Sequence, residues 1–118
     1  MSTSPDELQA KVTVIAGRFL DRVSKEIEQL RALADKAAGG DLAVVKEIEA
    51  LSHRMHGSGA MLRFDEISGT AGELERLSAE FASTGQVDQP RMLPVLQRLQ
   101  AAITKACADR SAAQSPRP

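Results

Sequence analysis

The chain has 118 residues, 42% of them apolar, with 15 basic and 16 acidic side chains and a formal charge of −1. That length holds one domain with a modest core. The balanced charge excludes a strongly basic nucleic-acid surface, and the absence of Tyr and Trp excludes aromatic platforms for single strands.

The N-terminus lacks the basic start and apolar run of a signal peptide, and no apolar run is long enough to span a membrane. The single cysteine, Cys107, forms no internal disulfide and fits a reducing compartment, so a cytoplasmic location is expected. The first helical signal is Ser4-Pro5-Asp6-Glu7, where Ser4 caps, Pro5 suits the first helical position and Glu7 completes a capping box. Leu8, Val12, Ile15, Phe19, Val23, Ile27, Leu30 and Ala34 then recur at steps of three or four. One straight helix over residues 5–38 would be about 50 Å long against about 30 Å for the later ones, so a break is expected near Gly17. A short additional N-terminal helix and a longer second one result.

Gly39-Gly40-Asp41 reads as a stop followed by a start, with Gly39 in the left-handed cap and Asp41 capping the next helix. That helix runs over about 42–62, with Val44, Val45, Ile48, Leu51, Met55 and Leu62 inward. Asp65 is expected to cap the following helix, whose stripe is Ile67, Ala71, Leu74, Leu77 and Phe81. Pro90 opens the last helix, with Met92, Leu96, Leu99, Ile103 and Cys107 inward and an irregular first turn expected around Pro94. Residues 1–110 form one domain, and the small, polar tail 111–118 is expected to be disordered. Short loops make successive helices antiparallel. The expected fold is all-α, an up-down antiparallel four-helix bundle with an additional N-terminal helix. A monomer is the default for one bundle of this length.

Residues 53–58, His53-Arg54-Met55-His56-Gly57-Ser58, break the helical pattern chemically. Gly57 and Gly59 each cost about 1 kcal/mol relative to alanine in a helix interior, which points to something approaching the backbone there. At about 100° per residue, Gly59 falls near Met55 on the buried side, and His53 lies about 160° from Met55, toward solvent. Its neighbours on that face are Lys46, Glu49, Ala50, Gly57 and Ala60, three of them nearly without a side chain. His56 lies on the flank one turn along, within reach of a group attached to His53. Met61 falls on the flank of the same exposed side and offers an apolar contact. Two plainer readings stand beside this one. An exposed histidine is often only a solvated one. His53 and His56 also have a spacing that can share a metal, with Glu49 the local third candidate, but no complete ligand set is recognisable.

These residues resemble the signature of the histidine-containing phosphotransfer domains of two-component phosphorelays, His-x-Leu-Lys-Gly-Ser within a helical bundle. Leu74-Glu75 stands where that family often has Leu-Glu, and the Gly40-Asp41-Leu42 helix start is similar, so the likeness covers about residues 15–108. It implies that His53 is the phosphoacceptor and that Gly57 leaves room for the phosphoryl group and a partner's loops. Glu49, Ala50, Arg54, Ala60 and Met61 would line the partner-binding face. The implied partners are response-regulator receiver domains, or a hybrid histidine kinase, with no nucleic acid and no membrane. No cofactor or metal belongs to the chain itself, and Mg2+ is expected on the receiver. Two residues depart from the pattern. His56 replaces the usual Lys, and it neutralises a phosphoryl oxygen only when protonated. Arg63 stands where the family often has Gly. The alternative is a docking module of the same fold that binds a receiver or kinase without carrying phosphate.

Overall fold

A computed structural model describes residues 4–114 of the chain. Its elements, among the described residues, are α1 (Pro5–Ala37), α2 (Leu42–Met61), α3 (Asp65–Thr84) and α4 (Gln89–Gln114). Each helix packs on its two neighbours in the order α1, α2, α3, α4 and back to α1. Cross-helix pairs run in opposite directions: Arg18 lies beside Met61 where Glu26 meets Arg54, Gly59 meets Ser68 where His53 meets Glu75, Glu66 meets Lys105 where Glu80 meets Arg91, and Gly17 meets Arg110 where Arg31 meets Gln100. The bundle is therefore up-down and antiparallel.

Local chemistry sets most helix ends. The Ser4 hydroxyl accepts from the Glu7 amide at 3.2 Å, and Asp41 accepts from the amides of Ala43 and Val44 at 3.0 and 3.4 Å. The left-handed residue between α1 and α2 is Gly40, with φ 85°, not Gly39. Asp65 does not cap α3. Phe64 holds the cap position, and its ring, which has no acceptor for a capping bond, stacks on Phe19 with centroids 5.2 Å apart. Asp65 and Glu66 instead lie in the first turn, where the helix dipole favours negative charge. Arg63 has φ 68°, a conformation that suits glycine. The expectation of a break near Gly17 is overturned, and α1 is one helix of 33 residues. A single glycine costs too little to stop a helix supported by packing. Its missing side chain serves another purpose: the Arg110 guanidinium from α4 lies where a Gly17 Cβ would be, with Nη2 2.3 Å from that position.

The core is Phe19, Leu20, Val23, Ile27 and Leu30 from α1, Val45, Ile48 and Met55 from α2, Ile67, Ala71, Leu74 and Phe81 from α3, and Met92, Leu96, Leu99 and Ile103 from α4. The first part of the α1 stripe does not join it: Leu8, Val12 and Ile15 are exposed. α4 begins one residue before Pro90 and continues through Pro94. Pro94 is exposed, so the ladder bond it omits leaves a carbonyl to water. The tail expected from residue 111 is helical to Gln114, and residues 115–118 lie outside the described residues. No described helix is long and apolar enough to cross a membrane.

Candidate functional site

The site is built across the α2–α3 seam. Gly59 brings the two helices together, since a Cβ there would stand 3.3 Å from both Cβ and N of Ser68. The Ser68 hydroxyl donates to the His56 carbonyl at 2.9 Å and fixes the register. That register sets Glu75 of α3 opposite the two histidines of α2.

Glu75 holds both rings. Its Oε2 is 2.7 Å from His53 Nδ1 and its Oε1 is 3.0 Å from His56 Nδ1. The hydrogen bond from His56, and then that from His53, draws the Glu75 carboxyl below the usual glutamate value, against the upward push of burial. An ionised carboxylate only accepts, so each Nδ1 carries the hydrogen. In a neutral ring this leaves the lone pair on Nε2. The His53 side chain is 72% exposed, so its Nε2 faces solvent, while Glu75 at 24% is shielded beneath it. The His56 ring lies over Gly72, with Nε2 and Cε1 each 3.3 Å from where a Cβ would stand. A Cβ at position 72 would crowd the His56 ring, which would have to shift by a few tenths of an ångström against its bond to Glu75.

The remaining residues singled out in the sequence surround His53 unevenly. Gly57 is exposed, and a Cβ there would meet nothing within 4 Å. Ala50 and Ala60 are exposed, Glu49 is half-buried, and Met61 is 81% exposed. Met61 lines a groove between α1 and α2 with Ile15, Arg18, Phe19, Arg22, Ser58 and Leu62. Arg54 turns toward α1, where its Nη2 is 4.0 Å from Oε2 of the buried Glu26. Among the described residues, no cluster of three or more His, Cys, Asp or Glu side chains is arranged to hold a metal ion.

The family model of the Hpt domain, the histidine phosphotransfer domain, matches residues 14–111. The chain belongs to the Hpt family. Neither the curated proteins nor the solved structures contain a significant match to it. Hpt domains act in two-component signalling and interact with receiver domains and kinases in phosphorelays. The match reaches all four helices of this Hpt domain and leaves out only the first turns of α1 and the last residues of α4.

Sequence reasoning did not single out Glu75 or Gly72 as site residues. Helical periodicity fixes which way a side chain leaves its own helix, but not which residue of the next helix it meets. For Glu75 the sequence carried one signal, its place in the Leu74-Glu75 pair of this Hpt domain. Gly72 carried none beyond being a glycine inside a helix.

Proposed function

We propose that this protein is a phosphoryl carrier in a phosphorelay, taking the group onto His53 Nε2 from an aspartyl phosphate of a receiver domain and passing it to another. The observation that carries the reading is the 2.7 Å bond from His53 Nδ1 to Glu75 beneath an otherwise exposed ring. The Nε2 lone pair attacks phosphorus and forms an N–P bond. The P–O bond to the aspartyl carboxylate breaks, and its electron pair leaves with the carboxylate. The ring gains positive charge, and the Glu75 carboxylate on Nδ1–H offsets it. The same bond holds the ring in one tautomer and orientation.

Phosphoryl transfer depends on positioning and charge neutralisation above all. His56 takes the place of the family lysine; with its Nδ1 hydrogen committed to Glu75, only the doubly protonated ring has a second N–H, at Nε2, to offer the phosphoryl oxygens. The receiver brings Mg2+ and its own catalytic groups. Gly57, Ala50 and Ala60 give that partner a low surface, with Met61 and Arg54 on one flank and Glu49 on the other.

The test is phosphoryl transfer from a panel of phosphorylated receiver domains to wild type and His53→Ala. Acid-labile, alkali-stable label on wild type alone supports the carrier. Label retained by His53→Ala rejects His53 as the acceptor. Binding of a receiver without label on either protein supports a docking module instead.

A further inference from the structure

We infer that the exposed first three turns of α1 pair with the same segment of a second copy, antiparallel, about a two-fold axis near Val12. Every residue from Pro5 to Ile15 is exposed, although the segment is helical throughout. An isolated helix of three turns is marginal in water. This one also leaves Leu8, Val12 and Ile15 open at 56%, 45% and 51%. They continue the same stripe that Phe19, Val23, Ile27 and Leu30 bury within the bundle. The segment has the pattern of a packed helix and lacks a packing partner.

Charge placement selects the partner. With Leu8 as reference, Ile15 falls about 20° to one side, Val12 about 40° to the other, and Glu7 and Arg18 about 100° and 80° away on one shared flank. Neither the Glu7 nor the Arg18 side chain has an ion-pair partner among the described residues. A two-fold axis perpendicular to two antiparallel helices brings the same flank of each together. Glu7 and Arg18 are centred close to Val12, and so are Leu8 and Ile15. One axis therefore sets each Leu8 against the second copy's Ile15 and each Glu7 beside the second copy's Arg18. Lys11 lies near the axis on that flank, and its stem is long enough to cover the stripe while the ammonium turns outward. A second copy thus supplies both apolar and ionic partners from the residues already present, in place of the monomer that chain length alone implies.

Sedimentation equilibrium of the full chain tests this. The expected result is a reversible dimer, weakened about tenfold or more by Val12→Glu. Glu7→Arg and Arg18→Glu each weaken it, and the double variant Glu7→Arg/Arg18→Glu restores it. Wild type that stays monomeric at every concentration overturns the inference and gives the stripe to a different protein. A dimer indifferent to Val12→Glu overturns the assigned face. Failure of the double variant to recover overturns the antiparallel pairing, and that outcome holds even if Val12→Glu frays the segment.

Discussion

Gly57 and Gly59 stand two residues apart in α2, yet a side chain at the first would meet nothing within 4 Å, and one at the second would stand 3.3 Å from Ser68. Both interrupt a helix at the same intrinsic cost. Gly59 answers to a neighbour inside the molecule, the backbone of α3. Gly57 answers to no contact of the folded chain, which agrees with the room proposed there for a partner. The pair teaches that two glycines of one helix, alike in sequence, differ in what surrounds them, and that only packing tells them apart.

That contrast yields tests in order of expected size. Gly57→Leu should reduce transfer to or from a receiver by about tenfold to a hundredfold while the melting temperature holds or rises slightly, since a helix former replaces glycine. Transfer kinetics beside thermal melts check it, and a normal rate would remove the external role of Gly57. Gly59→Val should do the reverse, destabilising the fold by about 1–3 kcal/mol through overpacking against Ser68, as read by urea unfolding. Gly57→Ala should raise stability by up to about 1 kcal/mol, since the added methyl meets no obstacle and favours the helix.

The smallest effect is on acid stability. The native Glu75 carboxyl titrates below its ordinary value of 4.5, so it contributes stability above that pH. The contribution is lost as pH falls through the lower native value. Glu75→Gln should therefore lose stability near neutrality and show a shallower acid limb than wild type in melts between about pH 3 and 6. Parallel limbs would show that Glu75 is not the seam's acid-sensitive contact.

The sequence carried the number and direction of the bundle helices, because stripes at steps of three and four and the Ser4 and Asp41 caps are local signals. It also carried the direction in which His53 leaves α2, since the angle from Met55 is set by helix geometry alone. Three things were not legible, for related reasons. Gly17 resembled a break because Arg110, which uses its open space, lies 93 residues on (110 − 17). Asp65 resembled a cap because nothing local shows that the Phe64 ring is needed against Phe19. Leu8, Val12 and Ile15 resembled core because periodicity continues past the point where neighbouring helices end. Each depends on contacts between distant residues, as does the meeting of Glu75 with two histidines.

That meeting has a spectroscopic consequence. The chain contains two histidines, and both hang on one carboxylate. Every imidazole resonance of this protein therefore reports on a single cluster, with no background from other histidines. If His53 Nε2 is loaded as proposed, the His56 ring would feel it through the shared acceptor and serve as a built-in, unlabelled gauge of occupancy.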